Sequence, residues 1–240
     1  MLALAVAAGG ALSVGSGTAA AASQTGWVGF VPPNSDGISF LDTSTIINSP
    51  NLRAESRIYT TTGNAVPRGY MGVRPRLFKS GVLCEAIDYK YNTQANVTEF
   101  TYGTSATCGS GSYNSHGFVS VFDVDAGFKE YVTFPSNPLN FTAPAARSSA
   151  THAPAEVKSG TNAKGQSFGS GDVNKTTDTP DLVQAYATNG AVGYIKGSDL
   201  NSVPVAASPS AALAANSHGD RTVPVYKSDG VTVVGQFVIR

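Results

Sequence analysis

The chain has 240 residues, with 16 Lys and Arg against 16 Asp and Glu, so its formal net charge at neutral pH is zero. Charged residues make up only 13%, which excludes the strong basic field of a nucleic-acid binder and gives no electrostatic drive toward a membrane surface. With 26 Gly and 13 Pro, and aromatic residues spread along the chain, the composition points to a secreted β-protein with many tight turns.

Residues 1–23 read as a secretory signal peptide. The apolar run Leu2–Ala8 passes through a Gly/Ser patch into Thr18-Ala19-Ala20-Ala21-Ala22-Ser23, whose small residues suit a signal peptidase, with cleavage expected between Ala20 and Gln24. The run is too short for the roughly 20 residues that cross a bilayer, and later apolar segments are shorter still, so no transmembrane helix is expected. About 215 residues would remain, enough for one large domain or two small ones.

A β-domain is expected over 24–142. Arg57–Thr60, Tyr70–Val73, Leu77–Phe78, Ile87–Tyr91, Val97–Tyr102, Gly117–Phe122 and Tyr131–Phe134 alternate or run apolar over short distances, with Gly, Asn, Pro and Ser between them. No helical period survives there, and the spacing favours an antiparallel sandwich or barrel. Cys84 and Cys108 are the only cysteines; in an oxidising compartment they predict one disulfide.

Three features of this unit could bind a ligand. The run Arg53, Arg57, Arg68, Arg74, Arg76 and Lys79 is locally basic; were Arg57, Arg68, Arg74, Arg76 and Lys79 to share a sheet face, they would meet an anionic wall polymer or headgroup. Solvated strand positions balanced by Glu85, Asp88 and Glu99 are the plainer reading. Asp123 and Asp125, followed by Gly127, have the spacing that opens a calcium loop, but Phe134 stands where the bidentate Glu should be, so a polar turn is favoured over a metal site. Ser115-His116-Gly117 and Ser217-His218-Gly219 bring Ser and His together in sequence, yet adjacent strand residues face opposite ways, and turn or surface histidines are expected.

Residues 143–164, rich in Ala, Pro, Ser and Thr and including His152, read as a linker that cannot bury surface. The run from Asp172 through Asn174 and Thr176 to Asp178 imitates a calcium loop but has Thr177 where Gly is required, so an Asx-rich loop is expected. Residues 165–240 form a small α+β module. Leu182–Thr188 and Ala191–Ile195 flank Asn189-Gly190, a signal for a two-residue type I′ hairpin. Ser208 is an N-cap with Pro209 at the first helical position of a short helix, and a second hairpin turns through Ser228–Val231. At this size the module is expected to dock on the first domain.

These residues resemble secreted Gram-positive proteins of Streptomyces and Bacillus type, to which no activity is assigned. The likeness is carried by Gly69–Gly72, Arg76-Leu77, Ser80-Gly81 and Tyr91-Asn92. It continues through Tyr113–Gly117, Tyr131–Ser136 and Leu139-Asn140. In the last third it lies in Phe168–Gly171, Pro180–Val183, Gly193–Ile195, Asp199-Leu200, Val223–Tyr226 and Asp229-Gly230. In pattern and compartment the first unit is also similar to lactococcin-972-like bacteriocins, although it lacks their His-containing motif. The resemblance implies a secreted, extracellular or wall-associated protein.

No catalytic constellation is apparent: there is no Gly-x-Ser-x-Gly elbow in a strand–turn–helix context and no His-Glu-x-x-His helix. The expected function is therefore non-enzymatic and cofactor-free, binding a wall polymer or an extracellular surface protein. A secreted antibacterial or inhibitor-like effector is the alternative, and a cryptic hydrolase the third reading.

Overall fold

The computed structural model describes residues 22–143, 155–172 and 179–240. Residues 1–21 of the expected signal peptide, residues 144–154 of the expected linker with His152, and the run from 173 to 178 lie outside the described residues. What is described is mainly β, as the alternation in the sequence predicts.

Five strands build a first sheet. β1 (Ser23–Thr25) and β2 (Gly29–Val31) both line one edge of β3 (Phe40–Ile47), whose other edge carries β4 (Arg53–Thr60). β4 alternates strictly between half-buried and buried residues, as a strand with one face on a core must. β5 (Met71–Lys79), β6 (Val82–Ala86) and β7 (Lys90–Tyr91) belong to a second sheet, while β8 (Glu99–Gly103) returns to pair with β4. β9 (Gly111–Asp123) lies along the whole of β5, and β10 (Gly127–Val132) and β11 (Leu139–Phe141) share its outer edge.

The two sheets face each other as a sandwich. Val31, Phe40 and Ile58 from the first meet Met71, Val73, Val119 and Val121 from the second, and Ile46 and Ala54 meet Leu77 and Tyr113. By type, Pro75 divides Tyr70–Val73 from Leu77–Phe78, yet β5 is one strand. The Pro75 carbonyl accepts from Ile87 on the side where β6 has ended and β7 has not begun. The missing N–H falls in that gap, so no ladder bond is lost.

The C-terminal strands close a barrel. β12 (Gly160–Thr161) and β13 (Ser167–Gly169) lead to β14 (Leu182–Tyr186), β15 (Val192–Lys196), β16 (Arg221–Tyr226) and β17 (Val233–Ile239), each pairing with the next. β6 gives one edge to β5. Its other edge takes β14 at Leu83↔Ala185 and β17 at Ala86↔Ile239, both parallel. The expected module thus supplies four staves of a five-stranded barrel and residues 82–86 the fifth. Leu83, Ala86, Val183, Ala185, Ile195, Val225, Phe237 and Ile239 fill it.

Two short helices, α1 (Gly197–Leu200) and α2 (Pro209–Ala215), lie between β15 and β16. Ser208 caps α2 through the amide of Ala211, with Pro209 at the first position, as its sequence predicts. Ala212 buries α2 against Tyr89, Tyr91 and Phe118, on the face of the second sheet turned away from the sandwich.

The Asn189-Gly190 hairpin forms, but with a different turn. Only Gly190 has positive φ; the Gly190 amide bonds Ala187, and Ala187 pairs Ala191 across a three-residue loop. Asn189 stays out of the left-handed region because its side chain accepts from Ala191 and donates to the carbonyl of Val234 on the neighbouring strand. The type I′ turn instead joins β5 to β6, where Ser80 and Gly81 have φ of 49° and 79°.

Candidate functional site

Water reaches the outer face of the first sheet, and the chain places aromatic side chains there. Phe30 stands opposite Leu41, and Leu41 opposite Tyr59, so one cross-strand row runs over β2, β3 and β4. The neighbours Val31, Phe40 and Ile58 point inward and are fully buried; period two therefore turns the row outward. Arg57 shares the face: its guanidinium lies 4.4 Å over the Tyr59 ring and pairs with Glu99 on β8.

Trp27, the only tryptophan, is 81% exposed, and Val28 and Phe30 are 53% and 58% exposed. They do not sit on a free loop. Thr25 pairs with Thr45 and Gly29 with Asp42, so Gly26–Val28 set three residues against two in a bulge of the edge strand. Gly26 anchors the bulge by donating to the carbonyl of Ser44. Its backbone also presses on the 134–135 loop: a Cβ at Gly26 would stand 2.4 Å from the Phe134 carbonyl oxygen and 2.5 Å from that of Pro135. The backbone next to Trp27 is thereby held, while the indole stays wet.

Of the basic run, Arg53 and Arg57 lie on this face, and Arg53 is paired with Glu55. Arg68 is exposed in the loop before β5, whereas Arg74, Arg76 and Lys79 are 4%, 1% and 3% exposed. The five residues do not form one surface. Arg74 and Arg76 point to the far side of the second sheet, each guanidinium 4.6 Å from the centre of the Phe118 ring. Arg74 pairs with Glu130, which also accepts from the Tyr89 hydroxyl. Arg76 donates to Asn201 across to the C-terminal strands; burial first, then Arg74, lowers its pKa to about 9. Nearby, Arg221 forks onto Asp88 and donates to the carbonyls of Asp199 and Leu200. Lys79 donates to the Cys108 carbonyl. Arg76 and Arg221 join the two parts of the fold, and Arg74, Arg76 and Lys79 are buried where a polymer cannot reach them.

Asp123 is committed to its turn. It accepts from the Ser35 hydroxyl at 2.6 Å and from the amides of Asp125 and Ala126, and the Ser35 bond above all holds its pKa down to about 2. Asp125 is exposed beside it, and among the described residues no three His, Cys, Asp or Glu converge as metal ligands.

Ser115 and His116 face opposite sides of β9, as adjacent strand residues do. Ser115 shares a 2.6 Å hydrogen bond with Ser44 inside the sandwich. His116 stacks near Phe118 on the other side, and His218 is exposed. His116 is not at the surface: it is 1% exposed, and burial first, then the Arg76 charge, lowers its pKa to about 4. The sign follows from linkage. Below about 6.5 the unfolded chain takes up a proton that the native one refuses, so stability falls as pH drops from 6.5 toward 4. Between pH 7 and pH 5 this side chain should cost about 2 kcal/mol. Urea midpoints at the two pH values, in the parent and in His116→Leu, measure it; an equal pH dependence in both would refute the assignment.

Fold and surface together define a mainly β protein, a sandwich joined through one strand to a closed barrel, with an aromatic edge open to solvent. No family model matches the chain, and no curated protein or solved structure does.

Proposed function

We propose that this is a secreted, non-enzymatic protein that binds a cell-wall polysaccharide through the outer face of its first sheet. The observation that carries the reading is two exposed aromatic rings on one sheet edge, Phe30 on β2 and Trp27 in the bulge between β1 and β2. Burying aromatic rings in water-free contact is favourable, and leaving them exposed wastes that gain unless a partner covers them. A flat ring on a main chain already held in place offers the CH face of a sugar a stacking surface, with only side-chain torsions left to order. The hydroxyls of Thr25, Thr45 and Thr101 flank the row on β1, β3 and β8, and the near absence of net charge suits a neutral polymer better than a charged one. A single disulfide and the resemblance to secreted Gram-positive proteins agree with an extracellular place of work.

Retention of the purified protein on purified peptidoglycan at physiological salt tests it. Trp27→Ala with Phe30→Ala should weaken retention by about tenfold or more while the folding midpoint stays within about 0.5 kcal/mol, because the lost side chains are mostly solvated. If the parent protein washes through, the wall-polymer reading fails. Equal retention of the double variant would move the site elsewhere, and capture of a surface protein by the same face would change the partner class.

A further inference from the structure

The first sheet ends in β8, whose second edge carries no strand among the described residues. The carbonyl of Thr98 accepts from Thr60, and the amide of Thr104 donates to Ala54. In the antiparallel alternation the main chain of Phe100 and Tyr102 therefore also turns toward β4. The N–H and C=O groups of Glu99, Thr101 and Gly103 face away from the sheet. This free run is bounded at both ends: Val66 donates to the Val97 carbonyl, and the amides of Ser105 and Ala106 are turned to Glu85. What stays open is symmetric about Thr101.

A bare strand edge is a template for another chain unless something guards it. Elsewhere this fold does so. β10 carries exposed Lys129 and Glu130, the β1–β2 edge is broken by its bulge, and β12 is two residues long. β8 reads Glu99-Phe100-Thr101-Tyr102-Gly103, pairs with β4 without a bulge, and has one charge, which Arg57 already takes. Its Phe, Thr and Tyr are strand formers.

Two features of this strand fit each other. Tyr102 stands opposite the buried Ser56, on the inner side of the sheet, yet is 41% exposed. Two residues away a groove of about 270 Å³ runs beside Phe100, with Val97, Thr93 and Gln94 in its walls. Asn92 fixes the 92–94 loop: its Oδ1 accepts from the Met71 amide, and its Nδ2 donates to the carbonyls of Pro67 and Gln94.

When two β8 strands pair antiparallel about a two-fold axis at Thr101, Tyr102 of one falls opposite Phe100 of the other, on the same face. The exposed ring of each copy then enters the groove of the other and packs against Phe100. On the outer face Glu99 falls opposite Gly103 of the second copy. The Arg53 stem lies there, its Cδ 3.7 Å from where a Cβ of Gly103 would stand. Arg57 and Glu99 of one copy thus meet Arg53 and Glu55 of the other, in a row of alternating sign. Any other register leaves outward N–H and C=O groups unpaired.

We propose that this protein forms a two-fold dimer by antiparallel pairing of β8 with β8 of a second copy, each Tyr102 filling the groove beside the other's Phe100. The contact lies at the opposite edge of the sheet from Trp27 and Phe30 and is independent of what they bind.

Sedimentation equilibrium of the full chain alone, from about 1 to about 200 μM, tests it; so short a contact should give a dissociation constant on the order of tens of micromolar. Tyr102→Lys should weaken the dimer by about tenfold or more and leave the urea midpoint in place, because the ring is already partly in water. Thr101→Pro removes an outward N–H, which an edge strand tolerates, and should give a monomer. If that variant fails to fold, Tyr102→Lys decides alone. Thr101→Cys lies on the axis and should cross-link to its own copy under mild oxidation, while Thr45→Cys, on the same sheet but two strands in, should not. A chain that stays monomeric throughout overturns the proposal, as does a dimer that Tyr102→Lys leaves intact. A monomer that binds a free peptide of residues 97–103 would assign the edge to a foreign strand and overturn the self-pairing.

Discussion

Glu85→Ala should lower the stability of this protein by roughly 3–4 kcal/mol, the largest single-residue effect expected. The Glu85 side chain is fully buried on β6, the strand that belongs to both the second sheet and the barrel. One carboxylate oxygen accepts from the amides of Ser105 and Ala106 at 2.8 and 2.6 Å, and the other from the Arg240 guanidinium at 2.7 Å. Alanine leaves two backbone donors without their acceptor and a cavity beneath the 104–110 loop. It also loosens Arg240, which exchanges main-chain bonds with Ala86 and Asp88. Arg240 is 42% exposed, so water recovers most of its loss and the two amides carry the cost. Glu85→Gln keeps the volume and one acceptor and should cost about half as much. Urea unfolding measures both; a shift below about 1 kcal/mol for alanine would show that the loop finds other acceptors.

Removing the Cys84–Cys108 disulfide should cost roughly 3 kcal/mol in the chain-entropy model, because the bond closes a loop of sequence separation 24. The loop carries β7 and β8, and so ties the two sheets of the sandwich to each other and to the barrel stave. Cys108 has other holds: its carbonyl accepts from Lys79 and its amide donates to the Tyr113 hydroxyl. These keep the loop placed in the native state and leave the loss mainly in the unfolded chain. The Cys84→Ala, Cys108→Ala variant and the reduced parent should unfold at the same urea concentration. Since Glu85 and the disulfide anchor the same 104–110 segment, combining their losses should give less than the sum. Strict additivity would show that the two anchors act independently.

Much of the local structure is readable in the sequence, and particular residues show why. The alternation of Arg57–Thr60 appears in β4 because one face of that strand packs and the other does not. Ser208-Pro209 caps a helix because the cap needs only its own next three residues. The errors are of another kind. Pro75 looks like a strand breaker until β6 and β7 are seen to leave a gap beside it. Asn189-Gly190 looks like a type I′ turn until the Asn189 side chain is seen to bond a strand 45 residues away. Phe40–Ile47 is not signalled as a strand because Asp42, Thr43, Ser44 and Thr45 interrupt its apolar pattern, yet Asp42 and Ser44 face the buried side.

The candidate sites were less readable. Trp27 and Phe30 are ordinary core residues by type, and only their place on an edge bulge leaves them exposed. The basic run suggests a binding surface, but β5 is covered on both sides, and a charge on a doubly covered strand has nowhere to point except inward.

By itself, then, the amino-acid sequence determined that this is a mainly β chain of low charge, with a Cys84–Cys108 pair and a short capped helix. Those properties depend on neighbours within a few residues or on composition. The tertiary structure decided that β6 closes a barrel with strands from Leu182 to Ile239, far along the chain, which basic residues are buried, and which aromatic rings meet water. Parallel pairing and burial join residues far apart in the chain, and the free energy of those contacts belongs to neither partner's local pattern.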